Sequence, residues 1–427
     1  MAAIVKIAII GGGISGITAA EVLQSHHEVT LFESSARLGG HACPVLVEDR
    51  LEIDTAFLIF NEGSYTQFRR LLKRWHVADK IMQTEMSFSF HNQSSGLKYA
   101  INKKSFPLIP SFSALLKPSF YRIFPDLYKF YRSGKSYLNE SGIGNLSIAA
   151  FLNSKGYSKT FVENFLFPLS MAVWSTPLTQ IENLPAQTFL RFFDNHRCLG
   201  GDLRNYRWCT LRGSSAHYLR AFEKSFRGRI FLNRPVRKIV RTASGVRLLF
   251  DHQMDQSIPQ NTEDIFDEVI IATHADQALR LLENPSESET QALGGWRYHQ
   301  TKMFLHNDPA FMPDRNLWSS WNTFFGPAAS TSWITYYLNK IQNFAAEKDY
   351  FVTLSSDVRP RHIVREFDIE HPILDALTTE RQVHLAKLVG ENRTSFCGSY
   401  FGYGFHEDAV QSALHVAARF GCSLPEA

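Results

Sequence analysis

A glycine-rich turn close to the start of the chain constrains the fold more than any other feature of the sequence. It lies within KIAIIGGGISGITAAEVLQSHHEVTLFESSARLGGHA, residues 6 to 42. Residues 4–10 are mostly apolar and β-branched, which predicts a parallel strand buried on both faces. Gly11, Gly13 and Gly16 follow with the spacing G-x-G-x-x-G, and a helix is predicted from about residue 14 to residue 25. Such glycines permit a tight turn, a close approach of backbone to a pyrophosphate, and close packing of helix on strand.

The second strand of this unit ends at an acidic residue. EVTLFE closes with Glu33, seventeen residues after Gly16. A carboxylate there accepts hydrogen bonds from a ribose diol, while the helix start at Ile14 and Ser15 offers N–H groups to phosphates. Glycines alone would indicate only a turn in an α/β domain, but strand, glycines, helix, strand and acid in this order predict a dinucleotide site. Both NAD and FAD fit this unit.

A second pair of glycines favours one of these two cofactors. Glu33 opens ESSARLGG, an E-x-x-x-R-x-G-G pattern. This pattern resembles the flavin amine oxidase and phytoene desaturase clan, in which long stretches of the chain hold FAD. The resemblance implies a resident FAD and adds cofactor-binding residues behind the acid, namely Ser34, Arg37, Leu38, Gly39 and Gly40.

In that clan the FAD-binding domain is discontinuous, and later segments return to it. Residues 230–250 predict two strands around a turn at residues 244–245, residues 266–282 a buried strand followed by a helix, and residues 394–420 a strand, a glycine loop and a helix. The resemblance places FAD contacts on these segments, at Val236, Ala272, Thr273, Gly398, Ser399, Phe405 and His406. The N-terminus of the last helix would favour negative charge on the reduced flavin ring.

The implied fold class is α/β, with a Rossmann-type FAD-binding domain interleaved with a mixed α+β substrate-binding domain, as in amine oxidases. The predicted FAD-binding spans are 1–75, 211–282 and 391–427. The predicted substrate-domain spans are 76–210, which contains a helical basic-aromatic segment, and 283–390.

Further segments narrow the resemblance to one bacterial subgroup. DTAFLIFNEGSYTQFRRLL, FPLSMAVWSTP and GSYFGYGFHEDAVQSAL are similar to predicted NAD/FAD-binding proteins associated with cyclopropane-fatty-acyl-phospholipid synthases. Three positions depart from the glycines usual there or in the wider clan: Ala56, Ala409 and Ala413. Each adds a methyl group near the expected flavin. Ser399 also replaces an acidic residue that many clan members carry.

Candidates for chemistry are few, because a flavin carries the difficult step itself. The resemblance aligns Lys302 with a lysine that holds water against flavin N5 in amine oxidases, although a solvated strand lysine is an equally good interpretation. His406 and Glu407 stand at the predicted loop-to-helix junction. They are candidates for acid and base, or for a helix cap, and the cap is favoured for Glu407.

Aromatic residues are the candidates for substrate contact. Tyr400 and Tyr403, with Phe401 and Phe405, would form a wall beside the flavin, and Trp174 and Trp333 are further candidates. Aromatics make up 13% of the chain, so a phenylalanine-rich core is the alternative for all of them. His274 is interpreted as a loop histidine with its hydrogen bonds satisfied.

The amino-acid composition and net charge limit the possible binding partners and the cellular compartment. A net charge of +4 and the absence of a basic tail argue against nucleic-acid binding. Five cysteines without C-x-x-C pairs predict reduced thiols in a cytoplasmic protein and no metal site. No stretch approaches the length of a transmembrane helix, and no signal peptide is predicted. A homodimer is kept as a hypothesis.

Residues 102–141 combine lysines and arginines with phenylalanines and tyrosines, broken by four prolines. A helical lid over the substrate pocket is the favoured interpretation. Peripheral contact with an anionic membrane is the alternative, so the expected location is the cytoplasm, with the membrane surface as the second hypothesis.

Three functions follow for testing. The first is an FAD-dependent oxidoreductase that transfers hydride between flavin and a small hydrophobic, acyl-chain or similar aliphatic substrate, in desaturation, oxidation or double-bond rearrangement. The second is an amine oxidase that releases imine and hydrogen peroxide. The third is a flavin-binding partner protein without turnover.

Overall fold

The strands and helices of this computed structural model are described for residues 3–102, 105–174, 181–195, 199, 207–251, 265–326, 331–354, 358–375 and 377–425. The strands are β1 (Lys6–Ile10), β2 (Glu28–Phe32), β3 (Pro44–Val47), β4 (Leu51–Asp54), β5 (Phe60–Asn61), β6 (Ile81–Gln83), β7 (Ser87–Asn92), β8 (Leu97–Asn102), β9 (Ser105–Pro110), β10 (Trp208–Leu211), β11 (Arg229–Phe231), β12 (Val236–Thr242), β13 (Gly245–Phe250), β14 (Ile265–Phe266), β15 (Glu268–Ile271), β16 (Tyr298–His306), β17 (Trp321–Phe325), β18 (Trp333–Tyr337), β19 (Phe351–Leu354), β20 (Ile363–Pro372) and β21 (Thr394–Phe396).

The α-helices, numbered in the same way, are α1 (Ile14–Leu23), α2 (Thr66–Arg74), α3 (Phe112–Leu115), α4 (Pro118–Tyr121), α5 (Ile123–Tyr137), α6 (Ile148–Ser154), α7 (Lys159–Phe161), α8 (Phe167–Trp174), α9 (Ala186–Asn195), α10 (Ala216–Ser225), α11 (Ala275–Leu281), α12 (Glu287–Leu293), α13 (Leu338–Ile341), α14 (Thr378–Lys387) and α15 (His406–Arg419). A π-helical turn, Val162–Leu166, joins α7 to α8.

A five-stranded parallel sheet contains the glycine motif. Its strand order is β11-β2-β1-β15-β21, with every neighbouring pair parallel. Taken in chain order this is the 3-2-1-4-5 arrangement of a Rossmann-type sheet, in which the order reverses beside β1. Ligands of such sheets bind outside the carboxyl ends of the strands at that reversal, so the topology directs attention to the loops after β1, β2, β15 and β21.

The strand–helix–strand unit forms where the sequence predicted it. β1 is buried apart from its first residue, and all ten residues of α1 are buried between this sheet and α15. The predicted strands within 230–250, the strand and helix within 266–282, and the final strand and helix are present as β12, β13, β15, α11, β21 and α15. These local predictions are confirmed.

The second large sheet has eight strands in the order β20-β16-β19-β18-β17-β7-β8-β9. All its pairings are antiparallel except the parallel pair β17 and β7. Its strands come from residues 87–110 and 298–372, while those of the parallel sheet come from 6–32, 229–231, 268–271 and 394–396. The chain therefore crosses repeatedly between the sheets, and the interleaved α/β fold class is confirmed. The domain limits themselves stay predictions.

The cysteines and the lengths of the helices were both subjects of the predictions from composition. Cys43, Cys209, Cys397 and Cys422 are buried free thiols, and Cys198 lies outside the described residues. Within the described part of the chain, no helix is both long enough and apolar enough to cross a bilayer.

Candidate functional site

A single continuous cavity connects the two sheets. Its volume is about 1830 Å³, and it extends from the glycine loop after β1 to α5, α8, α9 and the eight-stranded sheet. Ligand pockets in proteins typically measure about 300–1,000 Å³. The cavity therefore has room for a large cofactor and a substrate together.

The glycine loop forms one end of this cavity. Gly11, Gly13, Ile14 and Ser15 line it, and Gly11 has a φ of +106° that suits glycine. A Cβ added to Gly13 would meet no atom within 4 Å, so its open face is turned to the cavity. A Cβ on Gly16 would come within 1.9 Å of the Gly11 carbonyl oxygen. Gly16 does not line the cavity, because its role is the close packing of helix on strand.

Glu33 lies at the carboxyl end of β2 and lines the cavity beside Ser34. Its Oε2 accepts the Gly12 N–H at 2.6 Å, and its Oε1 accepts the N–H and hydroxyl of Ser35, each at 2.8 Å. Each carboxylate oxygen has two lone-pair positions. Oε2 therefore keeps acceptor capacity for a ligand hydroxyl, which fits the predicted ribose contact.

The second glycine pair packs against the first glycine loop. The Gly39 N–H donates to the Gly12 carbonyl oxygen at 2.8 Å, and a Cβ on Gly40 would lie 3.2 Å from the Gly13 Cα. Both residues of the pair also line the cavity. Larger residues here would force the two loops apart and change the shape of the expected phosphate site.

The Arg37 side chain hydrogen-bonds to the glycine-containing loop and does not form part of the cavity wall. Its guanidinium donates to the carbonyl oxygens of Leu38, Gly40 and Ala42 at 2.9–3.1 Å. Neither Arg37 nor the buried Leu38 lines the cavity. Arg37 therefore helps to shape the glycine pair, and the direct cofactor contact expected for Arg37 and Leu38 stays a prediction.

The carboxyl ends of β15 and β21 complete the polar end of the cavity. Ala272 and Thr273 follow β15, Gly398 and Ser399 follow β21, and all four line it. The helix α15 begins at His406, and Phe405 and His406 also line the cavity. The predicted junction of loop and helix beside the cofactor site is therefore present.

Several histidines collect at this end. His41 and His371 have ring centroids 5.4 Å apart, and His274 lies 6.4 Å from His41. His274 stacks on Tyr298, and its Nδ1 is 3.3 Å from a carboxylate oxygen of Glu370. The motifs did not indicate that these residues cluster, because His41, His274 and His371 come from three distant segments.

Burial keeps these rings neutral. Desolvation, followed by the neighbouring His41 and His274, lowers the pKa of His371 to about 3. Desolvation and His41 likewise lower the pKa of His406 to about 3, while its ring stacks on Phe57 at 3.8 Å. Its Nε2 is 3.3 Å from the Tyr218 hydroxyl. At neutral pH these imidazoles offer one donor and one acceptor each and no positive charge.

The residues present fit a dinucleotide cofactor. Gly13 presents open backbone, Glu33 presents free acceptor capacity, and the buried Nδ1 of His371 has no hydrogen-bond partner among the residues that the structure describes. Buried polar atoms are nearly always paired, so an orphan in a cavity wall marks a position for a ligand group. We expect the cofactor's polar groups to lie along these residues.

The rest of the cavity wall is apolar and aromatic. Phe192 stacks on Phe405 with ring centroids 5.2 Å apart, and the tilted ring of Trp174 lies 4.4 Å from Phe192, so an aromatic wall leads away from α15. Trp174, Tyr400 and Tyr403 line the cavity, and their contact with a substrate stays a prediction. Further lining comes from Phe88, Leu127, Phe130, Phe165, Leu169, Ala172, Val173, Phe193, Trp321 and Tyr336. Among the described lining residues, Glu33 and Glu370 are the only carboxylates, and none is a lysine or arginine.

Lys302 lies outside the cavity, contrary to the catalytic role considered for it. Its ammonium is ion-paired with Asp368 at 2.8 Å and Glu366 at 3.4 Å, at an exposed part of β16 and β20. It does not line the cavity, whereas Tyr298 does, four residues or about 13 Å of extended strand away. The solvated strand lysine is therefore the correct interpretation, and a catalytic role is not carried forward.

Glu407 is a helix cap. Its carboxylate accepts the N–H groups of Gln67 and Phe68 at the start of α2, each at 2.9 Å, and it does not line the cavity. Burial raises its pKa, while these N–H groups act in the opposite direction. The structure therefore places it with α2 rather than with the cavity, which corrects its candidacy as acid or base.

Two further positions lie away from the cavity. Trp333 stacks on Phe324 at 3.8 Å and donates to the Phe311 carbonyl oxygen at 3.2 Å. Tyr336, three residues along β18, lines the cavity instead, since residues separated by three point to opposite faces of a strand. Val236 is buried at the start of β12 and does not line the cavity.

The three alanines differ in their surroundings. Ala56 and Ala409 line the cavity. Ala413 is fully buried in the core between α15 and its neighbours. Its methyl group is therefore a packing feature.

Comparison with known proteins agrees with this geometry. The chain superimposes on the CLA-producing fatty acid isomerase from P. acnes with a TM-score of 0.70, at 12% identity over 97% of this chain and 98% of the other. It superimposes on cyclohexylamine oxidase from Brevibacterium oxydans IH-35A with a TM-score of 0.67, at 13% identity over 98% and 100% of the two chains. A search of curated proteins gives no significant match.

These structural likenesses show the fold alone, because the sequence identities are low. The family of flavin containing amine oxidoreductases matches residues 14–365, most of the chain. The glycine loop, Glu33 and the interleaved sheets lie where such a cofactor site requires them. The chain therefore belongs to the flavin-containing amine oxidoreductase family and is an FAD-dependent oxidoreductase.

Proposed function

We propose that this flavoenzyme acts on a long apolar acyl chain by hydride transfer. The observation that carries the proposal is the continuous cavity, whose polar end fits the cofactor and whose remaining described wall is aromatic and aliphatic. An ammonium group entering that wall would lose its hydration without gaining a carboxylate partner, because Glu33 and Glu370 belong to the polar end. An amine substrate is therefore disfavoured.

Bound FAD supplies a two-electron acceptor for the hydride of a C–H bond. The protein positions that bond and excludes water, since Trp174, Phe192 and Phe405 form a contiguous aromatic wall next to the start of α15. The protein contributes to the rate mainly by orienting the acyl chain of the substrate against these rings.

The titratable groups favour one version of the reaction. Desaturation removes a hydride and also a proton, whereas double-bond rearrangement by removal and return of the same hydride leaves no net proton. His406 and His371 have pKa values of about 3, which makes them weak proton acceptors at neutral pH. Rearrangement is therefore the reaction that this site supports best, in line with the fatty acid named for one structural neighbour.

Bulk placed in the apolar wall tests the proposal. In Leu169→Trp, a larger side chain at a half-buried lining position shortens the space for the acyl chain of the substrate. We expect the preferred acyl chain, measured by product analysis with gas chromatography and mass spectrometry, to become shorter. Tyr336→Phe is the matched control, because it alters the same wall and keeps its volume.

Both variants should retain the flavin absorption band and a cooperative thermal unfolding transition. An unchanged chain-length preference in folded Leu169→Trp would contradict the proposed location of the chain. The association with cyclopropane synthases suggested by the sequence stays a prediction.

A further inference from the structure

An apolar surface lies at the outer end of the cavity. The described residues include thirteen exposed large hydrophobic side chains, and five of them fall between residues 115 and 128. They are Leu115, Leu116, Tyr121, Phe124 and Tyr128, and they are called the α3–α5 surface below. Such clustering of exposed apolar side chains marks an interaction site more often than scattered single residues do.

Contacts make these residues one surface. The Tyr121 hydroxyl donates to the Leu115 carbonyl oxygen at 2.9 Å. The buried ring of Phe120 contacts both Tyr121 and Phe124, with centroids 5.5 Å away in each case. Tyr128 follows Phe124 by one helical turn, so both lie on the same side of α5.

The surface is continuous with the cavity. Phe124 and Tyr128 line the cavity, yet 39% and 66% of their surfaces are exposed. Leu127 and Tyr131 on the same helix also line it. The rings of α5 therefore stand where the apolar cavity meets the exterior.

The segment that carries the α3–α5 surface has mostly positive charges. Residues 111–139 contain five lysines and arginines and a single acid, Asp126. Asp126 is held by the N–H of Ser158 at 2.9 Å. Arg122 and Arg132 are exposed and have no ion-pair partner in the described part of the chain, while Lys135 lies 3.5 Å from Asp194.

The geometry points to an anionic lipid bilayer as the occupant of the α3–α5 surface, with the acyl chain passing from the bilayer past Phe124 and Tyr128 into the cavity. Exposed leucines and aromatic rings suit the boundary between headgroups and hydrocarbon, and free arginines suit anionic headgroups. The docking itself stands on this surface, whereas the passage of the chain rests on the proposed function.

The test uses the intact flavoprotein and sedimentation with two kinds of vesicle. One contains phosphatidylcholine alone, and the other adds phosphatidylglycerol. We expect binding to the anionic vesicles only, and weaker binding as salt is raised. Leu116→Asp, at a residue outside the cavity wall, should lower the partition coefficient at least about tenfold. Arg132→Gln should lower it roughly fivefold.

Val383→Asp is the matched control, because Val383 is exposed on α14 and outside the α3–α5 surface. It should bind vesicles as the unmodified protein does. A fluorescent fatty acid in detergent-free solution gives an independent readout of the cavity. Leu116→Asp should bind it normally and retain the flavin band.

The outcomes separate the two proposals. Lack of binding to anionic vesicles, or equal loss in Leu116→Asp and Val383→Asp, would overturn the docking surface whatever the substrate is. Vesicle binding without uptake of the fatty acid would leave docking standing and overturn the passage of the chain together with the proposed function. A dimer that Leu116→Asp dissociates, with no vesicle binding, would assign the surface to a second copy of the chain.

Discussion

Replacing Glu33 by glutamine should weaken FAD binding without unfolding the protein. The Glu33 carboxylate accepts N–H groups from Gly12 and Ser35 and retains acceptor capacity on Oε2, at the edge of the cavity. Glutamine has nearly the same shape, but its amide nitrogen turns two donors toward positions that held an acceptor. One backbone N–H then loses its partner, and the negative charge facing the ribose disappears.

The size of the effect follows from the hydrogen bonds involved. A hydrogen bond to a charged group contributes about 1.5–3 kcal/mol. Loss of one such bond to a ribose hydroxyl should therefore raise the dissociation constant for FAD by roughly tenfold to a hundredfold. Titration of the apoprotein, followed by quenching of flavin fluorescence, measures this constant.

Glu28→Gln supplies the control, because Glu28 stands at the other end of β2 and is paired only loosely with Arg229, at 3.9 Å. Its dissociation constant should stay within about twofold of that of the unmodified protein. If the Glu33 variant, shown to be folded by circular dichroism, bound FAD as tightly as this control, the ribose contact would be refuted.

The remaining predictions concern the surface lysine and acid stability. Lys302→Met should leave the rate of flavin reoxidation by oxygen within about twofold, because the ammonium is exposed and paired with Asp368; a tenfold loss in stopped-flow absorbance would return Lys302 to the active site. His306 is fully buried, its Nδ1 accepts the Asp308 N–H at 3.0 Å, and burial lowers its pKa to about 4. The unfolded chain protonates His306 below about pH 6.5, and the folded protein does so only below about pH 4. Protonation of His306 therefore lowers the free energy of unfolding as pH falls between these values, by about 2 kcal/mol at pH 5. The free energy of unfolding, measured with denaturant at pH 7 and pH 5, should fall less in His306→Gln than in the unmodified protein. Equal decreases in the two proteins would contradict the role assigned to His306.

The polar end of the site was predictable because its signals are local. The glycine spacing, the acid after β2 and the second glycine pair all lie within residues 11–40, and the strand–helix–strand unit forms from its own hydrophobic pattern. The strand order could not be derived in the same way. It depends on which distant strands pair beside β1, and β15 and β21 come from more than 250 residues further along the chain.

The position and direction of side chains in the tertiary structure limited the remaining predictions. Lys302 matched a family position, but only the pairing of β16 with β20 shows that its ammonium meets Asp368 outside the cavity. Trp333 and Tyr336 share one strand, and the sequence pattern did not tell which of them faces inward. The histidine cluster carries no sequence signal at all, because tertiary structure alone brings His41 and His371 together.

Anaerobic product analysis tests the acyl-chain assignment most directly. The purified flavoprotein is incubated without oxygen with a molar excess of a long-chain di-unsaturated fatty acid, and the products are identified by gas chromatography and mass spectrometry. A rearranged fatty acid in excess over the flavin, without net loss of the flavin absorption band, is the result that the account predicts. Unaltered fatty acid, together with bleaching of the flavin by a primary amine under the same conditions, would contradict it.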